Sequence, residues 1–167
     1  MNDQTNTVLV IGYGNPGRLD DGLGPALAEA LTGRDMPGVT IDSDYQLTVE
    51  DASAVAAHDV VVFADADVAG PEPFELRPLA AEESLSFSTH SVSPGAVLGL
   101  AQDLFGATTK AYVLAIRGYE FDEFGERLSP KARENLDQAV QFLERCLREK
   151  AFPDSAPTDA TGHASGC

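Results

Sequence analysis

The stretch VLVIGYGNPGRLDDGLGP, residues 8 to 25, opens the first structural unit of the chain. Its apolar, β-branched run is followed by glycines at positions 12, 14 and 17, the G-x-G-x-x-G spacing that lets a backbone approach a pyrophosphate. Two adjacent acids, Asp20 and Asp21, come soon afterwards. The pattern predicts a buried strand, a glycine-rich loop and a helix, and the acids raise the question of whether the loop binds an anion or a cation.

Further apolar segments predict the rest of a sheet. The runs TVLVIG at 7 to 12 and DVVVFAD at 59 to 65 are almost continuously apolar, as strands buried on both faces are. VTID at 39 to 42 and AYVLAI at 111 to 116 are two further strand candidates. The strand-like PFELRPL at 73 to 79 follows its predecessor after only about eight residues. Because a parallel crossover needs roughly a dozen residues, we expect this strand to be antiparallel and near an edge.

Helix-length segments with recognisable first residues separate these strands. Ser93-Pro94 and Ser129-Pro130 each place an N-cap serine before a proline, and predict helices that end near residues 105 and 149. Thr48 with Asp51 resembles a capping box and predicts a helix that ends near residue 57. The order of elements predicts an α/β fold, a three-layer α/β/α sandwich with a mixed, mostly parallel five-stranded sheet and one antiparallel strand near the edge.

Length and composition fit one globular domain. The chain has 167 residues, of which 43% are hydrophobic and 23% charged. We expect a single α/β domain over residues 1–150 and a disordered tail over residues 151–167, which are mostly small and polar. The net charge of −16 disfavours nucleic acid and acidic membranes as partners. No apolar run is long enough for a membrane span or a signal segment, so we expect a cytoplasmic protein, and a monomer because no apolar helix face is left unexplained.

The acids of the opening loop favour a cation over a phosphate. A dinucleotide site has support, since Asp42 or Asp44 follows at the end of the second strand, where a ribose-binding acid is expected. Its pyrophosphate, however, would lie at the helix N-terminus beside Asp20 and Asp21. Two carboxylates within ~5 Å of a diphosphate would cost on the order of several kcal/mol at an effective dielectric constant near 20. The alternative is that Asp20 is a helix N-cap and Asp21 a first-turn acid.

Three side chains are candidates for a shared site at the carboxyl edge of the sheet, where ligands gather in parallel sheets. Asp21 follows the first strand, Asp65 ends the strand at 59 to 65, and His90 precedes the helix that leads to the last parallel strand. Two carboxylates and an imidazole suit a borderline divalent ion such as zinc or nickel. Turn-capping aspartates and a solvated histidine are the alternative interpretation.

Three segments together resemble the hydrogenase maturation proteases: GYGNPGRLDDGLGP, the strand-ending FADAD, and STHSVSP. These enzymes are endopeptidases that trim the C-terminus of the large subunit of nickel-iron hydrogenases. The likeness extends over residues 7 to 148, and the later RGYEF makes the chain similar to the subgroup that serves soluble, cofactor-reducing hydrogenases. The resemblance implies an α/β/α sandwich with a mixed five-stranded sheet, in agreement with the strand pattern.

The resemblance also implies roles for individual residues. Asp21, Asp65 and His90 match the metal-binding positions of the family, which recognise nickel already inserted in the precursor. Nickel would therefore arrive with the substrate, and no permanently bound cofactor is expected. Gln46 and Arg117 fall in loops at the same edge and are candidate substrate contacts, with a surface ion pair as the alternative for Arg117.

Peptide cleavage needs an attacking group, and no G-x-S-x-G elbow or other covalent nucleophile is evident, so water is the expected attacker. Asp21 or Asp65 would be the catalytic carboxylate that assists proton transfer, while nickel positions the scissile bond or polarises its carbonyl. The hypothesis is an aspartyl-type or metal-dependent endopeptidase that removes a C-terminal peptide from a nickel-loaded hydrogenase large-subunit precursor. An NAD-binding, Rossmann-like oxidoreductase and a non-catalytic maturation adaptor are the alternatives.

Overall fold

The computed structural model describes residues 6 to 82 and 92 to 153, together with the backbone of residues 156 and 157. Helices alternate with strands along most of the chain. The strands are β1 (Val8–Tyr13), β2 (Val39–Asp44), β3 (Val60–Asp67), β4 (Phe74–Pro78), β5 (Lys110–Arg117) and β6 (Ala156–Pro157). The helices are α1 (Leu23–Leu31), α2 (Asp51–Ala56), α3 (Pro94–Phe105) and α4 (Pro130–Glu149), and a 3-10 turn at Leu19–Gly22 precedes α1.

The strands form one mixed sheet in the order β2-β1-β3-β5-β4-β6. β1 pairs in parallel with β2 and β3, and β3 pairs in parallel with β5. β4 runs antiparallel to β5, as its short connection from β3 predicts. The predicted fold class, a mostly parallel sheet of five strands with one antiparallel strand near the edge, is confirmed. The two-residue β6, which the sequence did not predict, pairs with β4.

Alternate residues of the central strands pack into two separate apolar layers. Val8 and Val10 lie on the face of the sheet that α1 and α4 cover, whereas Leu9 and Ile11 lie on the face that α2 and α3 cover. All four side chains are fully buried. Because β1 is covered on both faces, its sequence is continuously apolar rather than alternating. Helices on both faces give the predicted three-layer sandwich.

Two of the three predicted helix starts are confirmed. The hydroxyl oxygens of Ser93 and Ser129 accept hydrogen bonds from the N–H groups of Ala96 and Ala132, so each serine is the N-cap before a proline. The N-cap predicted at Thr48 is two residues early, because Glu50 is the N-cap of α2 and a turn occupies positions 49–50. Only half of the capping box forms there: the Asp51 carboxylate accepts the N–H of Thr48 at 2.8 Å.

Several predictions concern segments that the structure does not describe. Residues 1–5, the segment 83–91 that contains His90, and most of the predicted tail 151–167 lie outside the described residues. The division into a domain over 1–150 and a disordered tail therefore stays a prediction. Within the described part of the chain, no helix has the length and apolar content needed to cross a membrane.

Candidate active site

The carboxyl edge of the sheet brings the loop after β1 next to the end of β3. The pairing of β1 with β3 stops at Gly12 and Ala64, while β3 continues beside β5 as far as Asp67. The strand thus ends two residues later than the sequence predicts. Asp65 is the first residue of β3 beyond its pairing with β1, and it therefore lies beside the loop that follows β1.

Asp65 is a half-buried carboxyl group surrounded by other negative charges. Its Oδ1 accepts a hydrogen bond from the N–H of Ala66 at 2.7 Å, and its carboxylate also accepts one from the hydroxyl of Tyr13. Burial, together with the charges of Asp21 and Asp67, raises the pKa of Asp65 to about 6, although the two hydrogen bonds oppose the shift. The group therefore takes up and releases a proton close to neutral pH, as a general acid or base must.

Tyr13 is the last residue of β1, and its side chain points to the same site. Burial raises the pKa of the Tyr13 hydroxyl, and the neighbouring charge of Asp65 raises it further. The hydroxyl therefore stays protonated and remains a hydrogen-bond donor to Asp65 at any physiological pH. Sequence reasoning missed this residue, although its place between Gly12 and Gly14 at the end of a buried strand put it at the predicted site.

Asp21 closes the loop that follows β1. Its Oδ2 accepts a hydrogen bond from the N–H of Asn15 at 2.8 Å, and the Asn15 side chain accepts one from the N–H of Gly17 at 2.8 Å. Asp21 is half-buried in the 3-10 turn that precedes α1, so it is not a first-turn acid of the α-helix. Its charge acts on Asp65. Asp21 and Asp65, two of the three side chains predicted to share a site, are therefore neighbours.

Gly24 allows this close approach of helix and sheet. A Cβ atom at position 24 would lie 2.4 Å from the carbonyl oxygen of Tyr13 and 2.6 Å from that of Ala64. The first turn of α1 therefore packs directly on the ends of β1 and β3. Any larger residue would separate the loop that holds Asp21 from the strand that holds Asp65.

Asp20 has a structural role that differs from the predicted one. It is fully buried, and the N-cap residue of α1 is Gly22. Its carboxylate accepts hydrogen bonds from the N–H groups of Tyr119, Glu120 and Ser129 and from the Ser129 hydroxyl. Burial alone raises the pKa of Asp20, but these hydrogen bonds outweigh it and hold the pKa below its ordinary value. The interpretation of Asp20 as a helix N-cap is wrong, because its partners lie in a segment distant in the sequence.

The third predicted metal ligand, His90, lies outside the described residues. Among residues 6–82 and 92–153, no three His, Cys, Asp or Glu side chains are grouped so that they could hold a metal ion. Asp21 and Asp65 alone provide two carboxylates. The three-residue site thus stays a prediction.

The two predicted substrate contacts lie at the carboxyl edge, but only Gln46 is in a loop as predicted, because β5 extends as far as Arg117. Gln46 is exposed in the loop that follows β2. Arg117 ends β5, and its guanidinium donates hydrogen bonds to the carbonyls of Gly70 at 2.8 Å and Gly118 at 3.2 Å. It also lies 4.9 Å from the ring centroid of Tyr119. Among the described residues Arg117 forms no ion pair. Its contacts join the loops after β3 and β5, and a substrate contact stays a prediction for both residues.

Known proteins match this chain by fold, although comparisons of its sequence with family models and curated proteins find no match. Solved structures match over most of the chain. The NiFe hydrogenase maturation protease HycI from Thermococcus kodakarensis KOD1 matches with a TM-score of 0.68 and 23% identity, over 86% of this chain and 93% of that one. The hydrogenase maturating endopeptidase HybD from E. coli matches with a TM-score of 0.65 and 25% identity, over the same shares of the two chains.

A third match has the highest identity of these three. It is an endopeptidase from Escherichia coli, with a TM-score of 0.62 and 26% identity over 90% of this chain and 97% of that one. The chain has the fold of the hydrogenase maturation proteases. These matches support the family that the sequence motifs predict.

The hydrogen bonds of the opening loop differ from those of a dinucleotide-binding loop, in which N–H groups bind the pyrophosphate. Here these donors already have partners. The N–H of Gly14 donates to the Asp44 carbonyl at 3.0 Å, that of Asn15 to Asp21, and that of Gly17 to the Asn15 side chain. A pyrophosphate would have to break these bonds beside a carboxylate. The geometry therefore disfavours the NAD-binding alternative.

Proposed function

We propose that this chain is an endopeptidase that removes a C-terminal peptide from the nickel-loaded precursor of a nickel-iron hydrogenase large subunit. The observation that carries the proposal is the pair of acids at the carboxyl edge, where Asp65 is half-buried beside Asp21. The prediction of a peptide hydrolase agrees with the structural neighbours, which are hydrogenase maturation proteases and endopeptidases.

The acid pair has the chemistry that a nickel-bearing substrate needs. Each carboxylate is oriented by a backbone N–H, Asp21 by Asn15 and Asp65 by Ala66. A carboxylate has acceptor sites on both oxygens, so one such bond fixes its direction and leaves capacity for a substrate. In the proposed complex Asp21, Asp65 and His90 contact the nickel of the precursor, two oxygens and one nitrogen, which suits a borderline divalent ion.

Water is the proposed nucleophile. Asp65 takes a proton from this water as it attacks the scissile carbonyl, and returns the proton to the leaving amine as the peptide bond breaks. We assign this role to Asp65 because burial raises its pKa to about 6, close to neutral pH. Tyr13 donates to the Asp65 carboxylate and so holds it in one orientation. The substrate's nickel positions the peptide bond next to these groups.

The remaining features of the proposal follow from the resemblance and the composition. Nickel comes with the substrate rather than as a resident cofactor, and the enzyme acts in the cytoplasm as a monomer. Its partners include neither nucleic acid nor membrane. Its precursor belongs to a soluble, cofactor-reducing hydrogenase. Gln46 and Arg117 contact the precursor, and normal processing by an Arg117→Ala variant would remove Arg117 from this set.

The deciding experiment mixes the purified protein with its cognate large-subunit precursor in nickel-loaded and nickel-free forms, and follows intact mass. Loss of a C-terminal peptide from the loaded form alone is the expected result. Cleavage of both forms would retain the protease and overturn nickel recognition. A loaded precursor that binds but keeps its length would instead support a non-catalytic adaptor.

A further inference from the structure

A small pocket lies next to the proposed site, on the side of β2. It has a volume of about 340 Å³, and its lining comes from the opening loop, the start of α1 and the end of β2. The lining residues are Gly14, Pro16, Pro25, Ser43, Asp44 and Tyr45. This volume is at the low end of the range for ligand sites, roughly 300 to 1,000 Å³, and suits one side chain better than a whole cofactor.

Gly14 lines this pocket and also contacts Asp21, one of the two acids. Its φ is +142°, and a Cβ atom there would lie 2.2 Å from the carbonyl oxygen of Asp21. On its other side, its N–H donates to the carbonyl of Asp44 at 3.0 Å. The next residue, Asn15, donates its N–H to the Asp21 carboxylate. A peptide held at Asp21 therefore has its neighbouring residues within reach of the pocket.

The lining combines apolar rings with one carboxylate. Pro16 and Pro25 present aliphatic rings, and Tyr45 is an aromatic side chain that is 67% exposed. Asp44 is exposed and forms no ion pair with any of the described residues. Asp42 and Glu50 are exposed nearby in sequence and add negative charge. Apolar walls with an unpaired carboxylate suit a long aliphatic side chain that ends in a positive charge.

We propose that this pocket binds a lysine or arginine side chain of the precursor, close to the bond that is cut. The aliphatic stem packs on Pro16 and Pro25, and the cationic end lies between the Asp44 carboxylate and the Tyr45 ring. The inference rests on the proposed function for the identity of the substrate, but not for the chemistry of the pocket. It assigns to Asp44 and Tyr45 a role in choosing the substrate, separate from the role of Asp21 and Asp65.

The first test uses small probes, so that it does not depend on the precursor. Amide chemical shifts of ¹⁵N-labelled protein are followed while N-acetyl-argininamide or its neutral isostere N-acetyl-citrullinamide is added. The arginine probe should shift the signals of Gly14, Ser43 and Tyr45, and bind about three- to fivefold more tightly than the citrulline probe, as expected for one exposed charge pair with a cation–π contact. Asp44→Asn should abolish that preference, whereas Asp103→Asn, an exposed acid at the far end of α3, should keep it. Equal binding of the two probes, or no shifts at these residues, would overturn the inference.

The second test uses the cognate precursor. Asp44→Asn and Tyr45→Ala should each raise KM for processing about three- to tenfold and leave kcat nearly unchanged, because they remove binding rather than chemistry. If the parent protein processes the precursor and KM is unchanged in both variants, the inference is wrong and the proposed function stands. If the parent protein processes no precursor, the proposed function fails, and the probe titration alone then decides what the pocket binds.

Discussion

The carboxylate of Asp20 and the backbone and side chain of Ser129 are bound to each other across 109 residues of sequence. Asp20 Oδ1 accepts the Ser129 N–H at 2.8 Å, and its Oδ2 accepts the Ser129 hydroxyl at 2.7 Å. Ser129 is at the same time the N-cap of α4. This pair therefore connects the opening loop to the last helix. The N–H groups of Tyr119 and Glu120 also donate to Asp20, so the segment after β5 is connected to the same loop.

We expect Asp20→Asn to destabilise the protein by about 3 kcal/mol at pH 7. An asparagine would turn its NH₂ group toward N–H donors and leave buried donors unsatisfied, and hydrogen bonds to a charged acceptor contribute about 1.5 to 3 kcal/mol each. Because the folded state lowers the pKa of Asp20, the contribution of the ionised group is present above its ordinary pKa and is lost as pH falls through the folded value. Urea unfolding should thus show the largest difference at neutral pH and a smaller one in acid.

Ser129→Ala provides the matched comparison for this prediction. It removes the α4 cap and one of the Asp20 bonds, and should cost about 1 to 2 kcal/mol. A double-mutant cycle should show strong coupling between the two positions. Additive effects, or an Asp20→Asn variant as stable as the parent protein, would contradict the structural role assigned to Asp20.

Gly14→Ala should destabilise the protein by at least about 3 kcal/mol and weaken processing. Position 14 combines a left-handed φ of +142° with a Cβ position 2.2 Å from the Asp21 carbonyl oxygen, so both strain and collision oppose the alanine. Gly33→Ala separates the two effects, since Gly33 has a φ of +90° and nothing within 4 Å of its Cβ position. It should cost only about 1 to 2 kcal/mol for strain. Equal losses of stability in the Gly14→Ala and Gly33→Ala variants, measured by thermal or urea unfolding, would show that the collision with the Asp21 carbonyl oxygen adds no cost.

The sheet and most helix starts were predictable because their signals are local. β1, β3 and β5 are buried on both faces, and such burial demands continuous apolar runs that are visible in the sequence. Ser93 and Ser129 cap the helices that follow them, and cap chemistry involves residues only three apart. The antiparallel direction of β4 followed from the length of its connection.

The features that were missed depend on contacts between distant segments. Asp20 looked like a helix cap because its partners, Tyr119 to Ser129, lie about a hundred residues away and no local pattern points to them. The contact of Tyr13 with Asp65 follows from the register of β1 against β3, which pairs Gly12 with Ala64. The family resemblance supplied the pairing of Asp21 with Asp65, which spacing alone left open.

Asp65→Asn should make the free protein more stable at pH 8 and leave its stability nearly unchanged at pH 4. The folded state raises the pKa of Asp65 from its ordinary value of 3.8 to about 6, so the ionised group opposes folding above pH 6, and stability of the parent protein rises as pH falls through that value. The shift corresponds to a gain of at most about 3 kcal/mol for the variant at alkaline pH. Thermal unfolding across this pH range measures it. An Asp65→Asn variant less stable than the parent protein at pH 8 would contradict the burial argument.

Asp21→Asn, Asp65→Asn and His90→Ala should each reduce release of the C-terminal peptide at least about 100-fold, since each removes a group proposed to contact nickel or transfer a proton. Initial rates are measured by mass spectrometry with nickel-loaded cognate precursor. Asp103→Asn serves as the matched control, because it removes an exposed acid near the C-terminal end of α3 and should process normally.

Folding measurements on the same variants distinguish loss of chemistry from loss of structure. Asp21→Asn keeps a side-chain oxygen for the N–H of Asn15, so its thermal transition should stay close to that of the parent protein. Asp65→Asn should be at least as stable as the parent at pH 8. Variants that are inactive but fold normally support the site. Their loss of activity, which the Asp103→Asn control does not show, then reflects a lost contact with the substrate rather than a lost fold. Near-normal processing by either acid variant would remove that residue from the catalytic pair, and unfolding of both would assign the acids a structural role instead.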